Sequence, residues 1–311
     1  MEGGFKPALF FWDSKRQNAP MRRFTSFTCI DWSGAVGAHP PGLAVASIGS
    51  ENAPALVQPM QQRWSRAAVR DWLLQLAETQ ADMLIGLDLS LGFPFIDQDA
   101  FFPEWEMSPT DARGLWALVE TLSAGEPHLG ANAFLAHPEA RRHFRHAKGD
   151  VGNLFLPGIG RLREVERHQR ATRQANSWSC FNLVGAGQVG KSSLTGMRMI
   201  HQLQGRIPIW PFDPLPETGP VIVEIYTSMA ARAAGLPANR SKVRDIETLA
   251  KALGALSAGL PQRLDRMDDH ATDALITAAW MRRASADPLL WSPPILDDRI
   301  RQTEGWTFGV V

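Results

Sequence analysis

The sequence predicts an α/β protein, a mixed sheet flanked by helices, and three observations carry the prediction. Apolar runs and segments of helical period follow one another in the order strand, strand, strand, helix, strand, with further helical segments after it, which is the pattern of a layered α/β fold. Two of the runs close on a carboxylate, Asp31 in Thr28-Cys29-Ile30-Asp31-Trp32-Ser33-Gly34 and Asp88 in Gly86-Leu87-Asp88-Leu89-Ser90. A later run, Val221-Ile222-Val223-Glu224-Ile225-Tyr226, holds a carboxylate inside it. Carboxylates are poor strand residues and costly to bury, so their repeated use at core strands points to chemistry rather than packing.

Each element follows from local pattern. Residues 24–30 read as a first strand, left through a turn at Gly34, Gly37 and Pro40-Pro41-Gly42. Residues 43–48 form a second and 55–58 a short third. Over 63–79, apolar Val69, Trp72, Leu73 and Leu76 recur at i, i+3, i+4 and i+7, the stripe of a helix lying on a sheet. A buried fourth strand spans 83–89, a fifth 221–226, and helices are expected at 246–256 and 268–283. The stretch 126–218 is irregular, basic and rich in Gly and Pro, too long for a simple connection, and reads as an insertion before the fifth strand. The core is thus expected in two parts, 21–125 and 219–285, after a mobile tail at 1–20 and before a packed extension at 286–311.

With 311 residues, 44% of them hydrophobic, the chain has enough apolar mass for a substantial core without staples. Its two cysteines, Cys29 and Cys180, have no metal-ligand spacing, which favours a reducing compartment with the cytoplasm as default. No apolar run approaches the ~20 residues that cross a bilayer. Formal net charge is zero, yet nine Lys/Arg and three Asp/Glu fall between Arg141 and Arg173.

The last helix reads Asp269-His270-Ala271-Thr272-Asp273-Ala274-Leu275. Its alanines form a face for close approach to a sheet, with His270 and Asp273 at one border of that face, one turn apart. Asp269 and Asp273 are i, i+4 neighbours whose repulsion needs an offset, from a cation or the helix N-terminus. Asp31, Asp88, Glu224, Asp269 and Asp273 therefore form a candidate oxygen-rich ligand set for Mg²⁺ or Mn²⁺, and an ion pair about 3.5–4 Å apart clamps both oxygens of phosphoryl transfer.

Together with Trp210-Pro211-Phe212-Asp213, these pieces resemble the domain of unknown function 429 family, predicted nucleases of RNase H-like fold, and more distantly the RuvC-type Holliday-junction resolvases. The resemblance spans most of residues 24–285. It implies metal-dependent phosphodiester hydrolysis on nucleic acid, with Asp31 as the first-strand ligand, Asp88 as the fourth-strand ligand and Asp273 as the last-helix carboxylate. His270 falls where resolvase-like members carry a second Asp or a His, as ligand or proton acceptor.

A competing motif is Gly185-Ala186-Gly187-Gln188-Val189-Gly190-Lys191-Ser192, a literal match to the Walker A pattern, with Gly187, Gly190, Lys191 and Ser192 as candidate phosphate contacts. Residues 180–184 before it could be a strand, and residues 193–203 after it a helix. It would predict an ATP- or GTP-binding protein like the accessory proteins of molybdopterin dinucleotide synthesis. Against it, the next candidate magnesium-holding Asp, Asp213, follows a proline-broken segment. The Asp-Trp-Ser-Gly and Asp-Leu-Ser-Leu-Gly pairs also resemble the phosphate loops of sugar kinases and actin-like ATPases, which use two copies of the RNase H-like unit where one is visible here.

In the basic stretch, Arg141, Arg142, Arg145 and Lys148 are candidate phosphate contacts, with Phe144 or Trp178 available to stack on bases. A solvated helix face, balanced in part by Glu164 and Glu166, is the alternative reading of the same charges. A non-catalytic nucleic-acid binder is therefore a third functional reading. The Walker-like loop gives the first test: the wild-type protein is expected to show no steady ATP or GTP turnover in a phosphate-release assay. Turnover that disappears in Lys191→Ala would establish the nucleotide-binding reading instead, because that ammonium reaches the β- and γ-phosphates.

Overall fold

A computed structural model describes residues 22, 24–60, 62–185, 188–237 and 242–311; the stretch 1–20 read as a tail lies outside them. The first half of the chain gives β1 (Ser26–Asp31), β2 (Ala44–Ile48), β3 (Ala55–Leu56), α1 (Arg66–Glu78), β4 (Met83–Asp88) and α2 (Ala112–Ser123). Short α3 (Asn132–Ala136) and α4 (Pro138–Arg141) precede a small hairpin, β5 (Arg145–Ala147) and β6 (Asp150–Val151). Then come α5 (Glu164–Ala171), α6 (Gly190–Gln202), β7 (Ile209–Trp210), β8 (Val221–Ile225), α7 (Thr227–Ala233), α8 (Ile246–Ala255) and α9 (Asp269–Ala284). Two short helices, α10 (Pro288–Trp291) and α11 (Asp298–Thr303), end the chain.

The main sheet runs β3-β2-β1-β4-β8-β7. β2 is antiparallel to β1 and β3, whereas β1, β4, β8 and β7 are mutually parallel. Side-chain alternation splits the core into two layers. Phe27, Cys29, Leu84, Val221, Val223 and Ile225 pack with Ala274, Leu275 and Ala278 of α9. On the other face, Ile30, Ile85, Leu87 and Ile222 meet Val69 and Leu73 of α1, Leu115 of α2 and Leu194 of α6.

The caps explain where the helices start. Ser65 accepts from Ala68 N to begin α1, and Asp268 accepts from Ala271 N to begin α9. Arg282 and Arg283 in the last turn of α9 oppose the negative end of its dipole.

Parts of residues 126–218 pack into the core. α6 belongs to the same layer as α1 and α2, and β7 is the sheet's outer strand. Phe134, Phe144 and Phe181 stack into one aromatic cluster with Phe93 and Phe102. Glycine, proline and arginine in this stretch signal irregular backbone, part of which is buried.

The arginines are part of that burial. Arg161 is held by Asp97 at 2.6 Å and by the carbonyls of Pro94, Ala100 and Phe101. Arg163, 1% exposed, reaches Glu166 Oε1 and Glu224 Oε1 at 2.6 Å each and the Glu304 carbonyl at 2.9 Å. Glu304 in turn accepts from Phe95 N, Ile96 N and Glu164 N, so one network ties α5, β8, the β4 exit and the C-terminal segment together. That segment also lies along β8, with Phe308 N donating to Glu224 O at 2.8 Å.

Removing one partner of such a network leaves uncompensated buried charge. Arg163→Met, which strands Glu166 and Glu224, is expected to destabilise the protein by about 3–5 kcal/mol in urea unfolding. A loss below about 1 kcal/mol would show that the network does not hold these segments together.

Candidate functional site

In the parallel register of β1 and β4, Ile30 stands opposite Leu87. Asp31 and Asp88 therefore end adjacent strands side by side. Each shares the parity of the residue two before it, Cys29 and Gly86, so both carboxylates point to the α9 face. Asp31 Oδ2 lies 3.2 Å from His270 Nδ1 in the first turn of α9. Gly42, at φ +91°, lies against that imidazole, and a Cβ there would come within 2.8 Å of the ring. Only glycine satisfies both the backbone angle and the contact.

Every other acid of the group also has its own partner. Asp88 accepts from Thr227 N at 3.3 Å and from Thr227 Oγ1 at 3.1 Å, at the start of α7. Lys242 Nζ lies 3.2 Å from Asp273 Oδ2 and 3.6 Å from Asp269 Oδ2, and Arg244 meets Asp269 at 3.0 Å.

The electrostatics match this crowding. Burial, with the charges of Asp31 and Asp273 adding to it, pushes Asp88 up to about 8 against its two bonds from Thr227. Burial also raises Asp31, opposed by His270, Lys242 and Arg266. Asp273 is raised by burial, then by Asp31 and Asp269, with Lys242 working the other way. The hydrogen bond to Asp31 raises His270 above the usual imidazole value.

Carboxylates that raise one another in this way are the donor chemistry of a hard divalent cation. As placed, no group of three or more His, Cys, Asp or Glu encloses an ion among the described residues. The private partners account for that: a cation shared by Asp31, Asp88 and Asp273 requires the Lys242 ammonium to withdraw.

Glu224 is corrected out of this set. The register pairs it with Leu87, not Asp88, so its side chain leaves the sheet on the opposite face from Asp31 and Asp88. Its oxygens are filled by Arg163 at 2.6 and 2.9 Å, Leu91 N at 2.7 Å and Thr307 Oγ1 at 2.5 Å. Glu224 is a structural counter-ion.

The Walker-like segment serves the same carboxylates from the other side. Residues 180–184 are irregular rather than a strand, with one isolated bridge from Asn182 to Arg145. Gly187 lies outside the described residues. Gly190 is packed on the Cys180 carbonyl, Ser192 Oγ donates to Val189 O at 2.7 Å, and Lys191 is exposed. Asp213 accepts from Ile209 N and pairs with Arg113. The preceding segment is thus not a strand, and Asp213 is already engaged. Instead α6 abuts both carboxylate strands: Gly34 leaves no room for a Cβ beside Ser192 N, Trp32 Nε1 donates to Thr195 Oγ1 at 3.0 Å, and Ser90 N donates to Ser193 Oγ at 3.1 Å.

Much of the basic stretch is neutralised. Arg141 pairs with Asp150 at 2.6 Å, and Arg142 with Glu104 at 2.6 Å and Glu139 at 2.8 Å. Phe144 is fully buried and cannot stack on a base, whereas Trp178 is 37% exposed. Arg145 is half-buried and Lys148 exposed.

Sequence reasoning missed Lys242, Thr227 and Arg66. Arg66 clamps the turn after Asp31 through Ser33 O at 2.9 Å, His128 O at 2.7 Å and Ala35 O. A signal for it existed: a cation in the first turn of a helix opposes the dipole and so has another task. Among the described residues no helix is long and apolar enough to cross a membrane. Comparison with known proteins gives no match to any family model, curated protein or solved structure.

Raised values at Asp31, Asp88, Asp273 and His270 mean that these four groups bind more protons in the folded protein than in the unfolded chain, so their contribution to stability falls as pH rises. For the carboxylates the fall begins near their unfolded value of ~4 and, for Asp88, runs to about 8. The His270 contribution is complete below ~6.5 and is lost through its higher folded value, in the same direction. The melting temperature of the metal-free protein is therefore expected to drop between about pH 5 and pH 8, and Asp88→Asn to flatten the drop and melt higher at the alkaline end. A variant no more stable than wild type at pH 8 would contradict the assignment.

Proposed function

We propose that this chain is a divalent-metal-dependent phosphodiesterase acting on nucleic acid, on a sheet of RNase H-like form. The observation that carries the reading is the adjacency of Asp31 and Asp88 at parallel strand ends, with His270 and Asp273 supplied by one face of α9. The strand order β3-β2-β1-β4-β8, with β2 alone running against the others, supports the fold assignment.

In this reading Asp31, Asp88 and Asp273 would hold Mg²⁺ or Mn²⁺. Such ions make a bound water acidic and stabilise charge on the attacking and leaving oxygens. Asp31 has a second task, orienting the imidazole. With Nδ1–H donating to Asp31, neutral His270 presents Nε2 as an acceptor for a proton of the attacking water. Lys242 neutralises Asp273 and Asp269 until a cation does so, which keeps the cluster from flying apart in the metal-free protein.

A second reading, a nucleic-acid binder whose carboxylates are only structural, draws support from the private partner that each of them has. Asp31→Asn separates the two. It is expected to abolish Mn²⁺-dependent cleavage of labelled oligonucleotides while leaving their binding intact or tighter, since one repulsive charge is gone. Normal cleavage by the variant would remove the central residue of the mechanism, and a wild type inert on single-stranded, duplex and branched DNA and RNA would favour the binder.

A further inference from the structure

A cavity of about 180 Å³ opens beside the carboxylates, lined by Asp88, Ser90, Arg163, Trp178, Gln188 and Tyr226 among others. Three properties say what it would take. First, it is small, with room for a single ring system rather than a base pair. Secondly, two of its walls are aromatic: Trp178, 37% exposed, and Tyr226, the chain's one tyrosine, half-buried. Aromatic faces stack on planar rings.

The third property is charge. Arg163 would make the floor attractive to phosphate, but Glu166 and Glu224 each hold it at 2.6 Å. Glu166 and Glu224 thus neutralise the Arg163 charge inside the network, and Asp88, raised to about 8, brings no free anion to the rim at neutral pH. Ser90, Gln188 and Ser192 supply neutral hydrogen-bonding partners. An uncharged planar ring that hydrogen-bonds at its edge fits such a lining. Because Asp88 belongs both to this cavity and to the acidic centre, whatever is attached to the ring lies at that centre.

We propose that the cavity receives an unpaired nucleobase of the substrate, next to the phosphodiester at Asp31 and Asp88. The inference rests on the phosphodiesterase reading and narrows it. A base within a duplex has its faces stacked and its pairing edge used, so the substrate is single-stranded, or has an extruded base, at this nucleotide.

The test compares a thymidine hexanucleotide with a six-unit abasic phosphate backbone of equal charge, as competitors for a labelled single strand bound to the full-length protein in EDTA. Wild type is expected to prefer the thymidine strand roughly 5- to 150-fold, the range of one stacked base. Trp178→Ala should lose that preference with abasic affinity unchanged, Trp178→Phe should keep most of it, and Gln188→Ala, at an exposed position, should reduce it without touching the core. Equal affinity of wild type for both strands, no binding of either, or a Trp178→Ala that weakens both alike would overturn the proposal. Base-dependent binding without metal-dependent cleavage would sink the phosphodiesterase reading and leave the base site; cleavage with base-independent binding would do the reverse.

Discussion

Repulsion between carboxylates at the ends of β1 and β4 is the constraint around which the rest of the site is arranged. Parallel pairing in register brings Asp31 and Asp88 together on one face, and α9 adds Asp273 from above. Buried like charges at such range are tolerable only if they are protonated or countered. The protein does both: Asp88 takes a proton near neutrality and two bonds from Thr227, Asp31 takes His270, and Asp273 takes Lys242. In the proposed reading a divalent cation would take over from Lys242 at Asp273 while Asp31 keeps His270.

On the opposite face the same strands end in a different electrostatic solution. Glu224, one residue out of phase with Asp88, turns toward α5 and is matched by Arg163. That buried network fixes the loop after β4 and the C-terminal segment, and so holds the wall through which a ligand would approach Asp88. Parity of a strand thus separates two carboxylates, close in the sheet, onto opposite faces, one of them a structural counter-ion.

The elements with strong periodicity were legible in the sequence: α1 at Arg66–Glu78, α9 at Asp269–Ala284 and the four longer core strand readings fall within a few residues of expectation. Asp31, Asp88, His270 and Asp273 were legible because a charge at the end of an apolar strand, or on the border of an alanine face, conflicts with packing. Glu224 was misread because Val221–Ile225 is apolar on both faces, and no alternation reveals which way the Glu224 side chain points before the register with β4 is known. The burial of arginines in the basic stretch was not legible for a related reason. Whether Arg161 or Arg163 faces solvent depends on Asp97 and Glu224, more than fifty residues away in sequence. Lys242 gave no local sign, since its partners lie on a helix that begins far downstream.

The most direct test of the central claim is a crystal of the protein soaked in Mn²⁺ and measured for anomalous scattering. The account predicts density between the carboxylates of Asp31, Asp88 and Asp273, with Lys242 displaced from Asp273 and Glu224 still on Arg163. Asp31 and Asp88 remaining with His270 and Thr227, with no anomalous peak between them, would contradict it.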